Sequence, residues 1–383
     1  MNDWLAARNI LAVRLDNIGD VVMLGPALRA VKETSPDARL TLLASPGGAA
    51  AAPLLPWIDD VMTWRSVWQH LGRLPFDPPR EHEFIDLLAA RGFDAALIFT
   101  SFSQTPHVPG YVCLLAGIPL RAGESKEFGG ATLSTELKGA PDALHQVERN
   151  LRLVERLGFV ARDRRLIVAL PEEARAAVPR LLTRAGLDPA APFVLLHPGA
   201  SAAARRYPAE RYGAVARLLT ERGWPALVTG VERERDLVDT VVAAAPLARP
   251  LVGGTTLAEY AALVEAARLV VCNDTLPMHL ADTLGTPEVV LFAGTDDEEQ
   301  WRPRDTPAHL LRRPTPCHPC YLFACPIGQP CLDITPEEVV AAAEDMLRSR
   351  QVVTAADRPG PDARDRWKRP ETSTAVRGWR AES

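Results

Sequence analysis

"ILAVRLDNIGDVVMLGPALRAVKE" (Ile10–Glu33) decides the fold. Ile10 to Leu15 form a short apolar run of strand length. Val21, Leu24, Leu28 and Val31 then recur at helical spacing. The turn between them carries two acids, Asp16 and Asp20, around Gly19. A strand, a tight turn and a helix open a β-α-β unit, with a carboxylate at the mouth of its turn.

The same rhythm continues along the chain. "RLTLLA" (Arg39–Ala44) and "AALIFT" (Ala95–Thr100) read as further strands, the second preceded by helix-like "EFIDLLAARG". The pattern restarts at "FVLLHPG" (Phe193–Gly199). Helix "AERYGAVARLLTERG", strand "PALVTG", helices "ERERDLVDTVVAAA" and "TLAEYAALVEAA", strand "RLVVCND", short helix "MHLADTLG" and strand "EVVLFAG" follow in order. Such alternation predicts parallel sheets covered by helices on both faces. A charged helix and Pro-rich connector, "PEEARAAVPRLLTRAGLDPAAP", separates the halves. The expected class is α/β, with domains at residues 1–170 and 171–349. "TPEEVVAAAEDMLRS" (Thr335–Ser349) reads as a final helix, Thr335 at its N-cap and Glu338 completing a capping box. Residues 350–383 are charged, Pro-bearing and almost without aliphatic periodicity, which predicts a disordered tail.

Composition narrows the function classes. The 383 residues suit two domains, and 47% hydrophobic content suffices for two cores. Net charge is −5 with acids and bases interspersed, so no nucleic-acid partner is expected. The N-terminal stretch "MNDWLAARNILAVRL" lacks the pattern of a signal peptide. No apolar run reaches the roughly 18 residues of a membrane span. A cytoplasmic protein is expected. A lipid-linked substrate would be met by peripheral contact at the inner face of the cytoplasmic membrane.

Ligands of open α/β sheets bind beyond the carboxyl ends of the strands. Asp16, Gly19 and Asp20 fall there in the first half; "HPGA", "TGVERE", "NDTLPMH" and "AGTDD" fall there in the second. In "HPGASAAARRYP", Gly199 follows a strand and Arg205 and Arg206 come soon after. Glycine lets backbone approach a phosphate, and arginine pairs with its oxygens. Asp274 and Thr275 precede a short helix whose free N–H groups point outward. Glu234 can accept hydrogen bonds from ribose hydroxyls. No GxGxxG follows the first strand, which counts against a dinucleotide oxidoreductase.

Each residue also has a plainer reading. Asp20 can cap a helix beginning at Val21, and Asp274 can cap the helix after it. Arg205 and Arg206 can be a solvated pair, Glu234 a solvent-facing acid, His197 a strand-end core residue and His279 a packed core residue. Arg14 can hold an anionic group or form a structural salt bridge, with Asp16 beside it in an acceptor or auxiliary role. Cys113 and Cys272 sit in apolar surroundings as small core residues. Cys317, Cys320, Cys325 and Cys331 follow a C-x2-C-x4-C-x5-C pattern. That spacing admits packed thiols, a structural zinc or iron site, or a redox role.

Together the segments resemble glycosyltransferase family 9, the heptosyltransferases of bacterial surface-glycan assembly. "RLDNIGDVVMLGPAL", "LAGIPLRAG", "HQVERNLRLVERLG", "HPGASAAARRYPAERYGAVARLL", "NDTLPMHLADTLGTPEVVLFAGTD" and "PCHPCYLFACPIGQPCLDITPEEVV" carry the resemblance, in that order. It implies a GT-B arrangement: two Rossmann-like, doubly wound domains facing across a cleft. The N-terminal domain would bind the acceptor and the C-terminal domain the nucleotide sugar. It also implies inverting, metal-independent transfer of a sugar, a heptose, from a nucleotide-sugar donor such as ADP-heptose. The acceptor would be a hydroxyl of a glycan or lipid-linked molecule, as in lipopolysaccharide biosynthesis. No cofactor would be required for catalysis. Carried over by position, Asp20 is the catalytic base and Arg205 the basic residue that meets the diphosphate. Asp274, Thr275 and His279 fall in the donor-site turn. The family's usual glycine there is Leu276, and its commoner tryptophan is Tyr207. Leu276 motivates the alternative of a non-catalytic nucleotide-sugar or glycan-binding protein that retains the fold.

Overall fold

The computed structural model describes residues 3–69, 72 and 74–349, so the expected tail lies outside the described residues. The first sheet comprises β1 (Asn9–Arg14), β2 (Arg39–Ala44), β3 (Asp60–Thr63), β4 (Ala95–Ile98), β5 (Leu120–Glu124) and β6 (Thr135–Leu137), in the spatial order β3-β2-β1-β4-β5-β6. The second comprises β7 (Val194–His197), β8 (Ala226–Gly230), β9 (Arg249–Val252), β10 (Leu269–Asn273), β11 (Glu288–Leu291) and β12 (Ala308–Leu311), in the order β12-β11-β10-β7-β8-β9. All neighbouring strands run parallel. Counted within its own half, each sheet has the doubly wound order 3-2-1-4-5-6. The chain therefore reverses direction between β1 and β4, and again between β7 and β10. Loops leaving those strand pairs diverge and open a crevice at the carboxyl edge. This is the GT-B class of fold.

The central strands are apolar on both faces because helices cover both. Ile10 to Val13 and Leu269 to Cys272 are all buried. Core packing forms three apolar clusters. One lies on the outer face of the first sheet, around Leu11, Phe84 and Leu88. Another lies on the outer face of the second, around Tyr212, Val215 and Val340. The third runs continuously from Ile10, Val21 and Leu28 to Val270, Met278 and Leu280, so apolar packing links the two halves.

Several elements depart from expectation for local reasons. The helix after the first turn is broken into Ile18–Val22 and Gly25–Thr34. Pro26 has no N–H and would clash with the carbonyl four residues back in a continuous helix, but it is tolerated in a first turn. Helix Glu172–Ala185 ends where Gly186 turns left-handed at φ 81°. The final helix has its capping box: Glu338 N–H donates to Thr335 Oγ1 at 3.2 Å and Thr335 N–H to Glu338 at 2.8 Å. Edge strands β3, β6, β9 and β12 are three or four residues long and mostly half-buried, too short to show periodicity. Among the described residues no helix is long and apolar enough to cross a membrane.

Candidate active site between the two sheets

Arg14 ends β1 and is completely buried. Its Nη2 donates to Asp20 Oδ1 at 2.7 Å and to Ser101 Oγ at 2.9 Å, while its Nε lies 2.9 Å from Asp16 Oδ2. Burial opposes the guanidinium charge, but Asp16 and Asp20 hold it protonated. The salt-bridge reading of Arg14 is therefore the one the structure supports. Asp16 accepts from Gln69 and Gln104 at 2.5 and 2.7 Å. Burial raises its carboxyl above the usual range, against the pull of Arg14. Asp20 is not the N-cap foreseen as its plainer role. The helix starts at Ile18, Asn17 is its cap, and Asp20 sits at the third position, accepting from Asn17 N–H at 3.2 Å. One oxygen thus rests on Arg14 and the other on the backbone, so the carboxylate has a fixed orientation.

The second half supplies a cation and a cluster of strand-end turns. Arg205 Nη2 pairs with Asp296 at 2.6 Å, and its Nε lies 3.3 Å from Thr295 Oγ1 and 4.0 Å from Asp274. Burial opposes its charge; Asp274, Asp296 and Asp20 together keep it protonated. Arg206 turns aside and donates to the Ala200 carbonyl at 2.9 Å, so the two arginines are not equivalent. Asn273, wholly buried, donates to the carbonyls of Pro198 and Gly199 and accepts from Tyr207 N–H. One amide thereby pins both ends of the arginine loop to β10. Tyr207 is buried and donates from its hydroxyl to the Ile334 carbonyl at 2.7 Å.

Two other expectations are corrected here. Asp274 does not cap the following helix: Thr275 is the N-cap, and the helix begins at Leu276. Asp274 is instead buried, and its Oδ2 has no hydrogen-bond partner among the described residues. Nor does Glu234 face solvent. It is 6% exposed, accepts from Val231 N–H at 3.0 Å, and presses against Gly199, where any Cβ would collide with the carboxylate. Leu276 is half-buried against the shared apolar cluster.

Asp274 yields a test of stability. Burial, opposed by Arg205 and reinforced by Asp296 and Asp20, pushes its carboxyl up to about 7. An unfolded aspartate releases its proton near about 4. The native state therefore binds the extra proton between those values, and folding stability drops as pH rises through that window. Thermal melts of Asp274→Asn are expected to lose this part of the decline between about pH 4 and pH 7. An unchanged slope would show that the carboxyl is ionised throughout.

The halves meet at this point. A Cβ on Gly19 would lie 2.7 Å from His279 Cδ2, so the helix carrying Asp20 closes on His279 only because residue 19 is glycine. Burial, aided by His145 and Arg205, lowers His279 to about 3, so its ring is neutral. Further out, Phe102 and Tyr321 rings pack 5.2 Å apart, His145 Nε2 donates to the Arg302 carbonyl at 3.0 Å, and Gln300 donates to the Asp142 carbonyl at 2.7 Å. A separate crevice of about 690 Å³, lined by His145, Glu148, Arg302 and Arg304 among others, lies at that outer contact and does not include Asp20.

The cysteine segment walls the second half of the site. Cys320 N–H donates to Gly294 and Tyr321 N–H to Thr295, which ties the segment beside Arg205. Cys331 is buried in the outer apolar cluster, while Cys317 is exposed. Among the described residues no three His, Cys, Asp or Glu side chains gather as a metal-ligand set. As placed, the four thiols do not gather around one metal position, and packing and backbone bonds hold the segment. Sequence reasoning assigned no individual role to Gln69, Ser101, Gln104, Thr295 or Asp296. Thr295 and Asp296 carried a signal, since they lie in the turn "AGTDD" just after β11, and Ser101 and Gln104 lie in the loop "SFSQTPHVPGY" after β4.

Residues 93–329 match the family described as glycosyltransferase family 9 (heptosyltransferase). Lipopolysaccharide heptosyltransferase 2 of Escherichia coli K12 is 24% identical over 351 residues, 88% of this chain and 98% of that protein. A family 9 glycosyl transferase from Veillonella parvula superposes with a TM-score of 0.72 at 20% identity, covering 89% of this chain and 97% of the other. An E. coli heptosyltransferase solved with ADP-2-deoxy-2-fluoro heptose gives 0.64 at 18% identity, covering 88% and 99%.

Proposed function

The chain belongs to glycosyltransferase family 9 and is a sugar-transferring enzyme; from that premise we propose that it moves a heptose from an ADP-linked donor to a hydroxyl of lipopolysaccharide or a related surface glycan, with inversion. The names of the relatives support the sugar and acceptor, and the ligand of the solved heptosyltransferase supports the donor. The observation that carries the chemistry is the meeting of an oriented carboxylate from the first half with a guanidinium from the second. Asp20 contributes to the charge state of Arg205 across the gap, and Gly19 packs on His279.

In this reading the acceptor hydroxyl lies in the first half and loses its proton to Asp20 as it attacks the anomeric carbon. The leaving diphosphate departs from the opposite sugar face toward Arg205, Thr275 and the N–H of Leu276 at the start of the helix Leu276–Leu284. Arg205 supplies the positive charge that a divalent metal supplies elsewhere. Gly199 brings backbone close to the phosphates, Arg206 braces that loop, and Glu234 accepts from the ribose. Asp274 and His279 form the floor between sugar and diphosphate. Arg14 and Asp16 hold the base in place. Residues 1–170 would carry the acceptor side and 171–349 the donor side.

Nucleoside diphosphate release should be measured with ADP-, GDP-, UDP- and dTDP-sugars, using heptose-deficient lipopolysaccharide as acceptor and EDTA in parallel. Release from ADP-heptose alone, an inverted anomer by NMR and insensitivity to EDTA are expected. Release only with another base, or retention of configuration, would overturn the reading.

A further inference from the structure

One buried polar cluster lies beside the proposed ribose site, and no step above uses it. It joins His197 at the end of β7, Thr229 on β8 and Tyr260 in the helix Leu257–Ala266. His197 Nδ1 lies 3.3 Å from the Tyr260 hydroxyl and 3.2 Å from Thr229 Oγ1, and its Nε2 lies 3.8 Å from Glu234 Oε2. The His197 and Glu234 side chains are only 12% and 7% exposed.

The proton positions follow from the neighbours. Thr229 has one hydroxyl proton, and it can go to the Leu196 carbonyl at 3.2 Å. An unprotonated Nε2 would aim a lone pair at a carboxylate, which is unfavourable. Nε2 therefore carries the hydrogen, Nδ1 accepts, and Tyr260 is the donor left to serve it. Burial keeps the imidazole neutral and the phenol protonated. The chain of polarity runs from Tyr260 O–H to His197 and from His197 N–H toward Glu234. Val231 N–H holds Glu234 Oε2 at 3.0 Å, while Oε1 lies over Gly199, where the missing Cβ leaves room.

We propose that Tyr260 and His197 are positioning residues that aim Glu234 Oε1 at a ribose hydroxyl and so set selectivity for ribonucleoside over deoxyribonucleoside diphosphate donors. This rests on Glu234 being the ribose acceptor, and the experiment separates the two ideas. The full-length protein is titrated with ADP and with 2′-deoxy-ADP. Wild type is expected to prefer ADP by about 10- to 100-fold, the size of one charged hydrogen bond. Glu234→Ala should erase the preference. Tyr260→Phe, which removes one oxygen from a half-buried ring, and His197→Phe should cut it to a few-fold and raise donor KM more than they lower kcat. His197→Gln, which can place an amide N–H where Nε2 stands, should restore most of it; a merely structural histidine would show no such rescue. Wild-type preference in Tyr260→Phe and His197→Phe, with loss in Glu234→Ala, would overturn the positioning role and leave the ribose contact standing. Wild-type preference in Glu234→Ala would overturn both.

Discussion

Asp20→Asn is expected to lower kcat by about 10²- to 10⁴-fold, the usual worth of a positioned general base, while donor affinity stays close to wild type. Asparagine is the informative substitution because of what the carboxylate touches. Its amide oxygen can still accept from Arg14 Nη2, as Asp20 Oδ1 does at 2.7 Å. Alanine would instead leave a fully buried guanidinium with Asp16 as its single carboxylate partner, and the loss would mix chemistry with misfolding. Steady-state diphosphate release, donor titration by calorimetry and a thermal melt should be run on the same preparation. A normal melt, normal donor binding and collapsed turnover are expected. Full turnover in this variant would remove Asp20 from the reaction and direct attention to Asp274 and Asp296, the other carboxylates whose charge Arg205 senses.

Arg205→Met is expected to cost at least about 10³-fold in kcat/KM, affecting both donor binding and the chemical step. Two effects add. The diphosphate loses the cation that meets its developing charge. Asp296, whose carboxylate Arg205 now offsets, is left facing an anionic ligand without its cation. Arg205→Lys should recover part of the loss, because the charge returns without the planar fork that bridges Asp296 and Thr295. Combining Arg205→Met with Asp296→Asn should restore donor affinity toward wild type more than it restores kcat, since it removes the repulsion and not the missing stabilisation. Strictly additive effects of the two substitutions would mean that these side chains do not act as one unit.

Arg206 illustrates the limit of motif reading. In the chain it is the equal of its neighbour, yet the short 3-10 turn Ala203–Arg205 sends one guanidinium toward the strand ends and the other back to the Ala200 carbonyl. Leu276 illustrates another. A side chain in place of the usual glycine suggests obstruction, but packing against the shared apolar cluster half-buries it.

What the amino-acid order determined by itself is local or periodic. The apolar runs specify buried parallel strands, the helical spacings specify their cover, and Thr335 with Glu338 specifies a cap. Asp20, Glu234 and Asp274 could be placed at strand ends because strand-turn-helix order is visible in one dimension. Tertiary structure alone decided what those acids touch. Gln69, Ser101 and Gln104 reach Arg14 and Asp16 across 53 to 88 residues of chain, contacts that no spacing in the sequence indicates. Asp16 and Asp274 are the same letter, but the nearest guanidinium is Arg14 at one and Arg205 at the other. Those pairings depend on three-dimensional distance and burial, and neither is encoded in spacing along the chain.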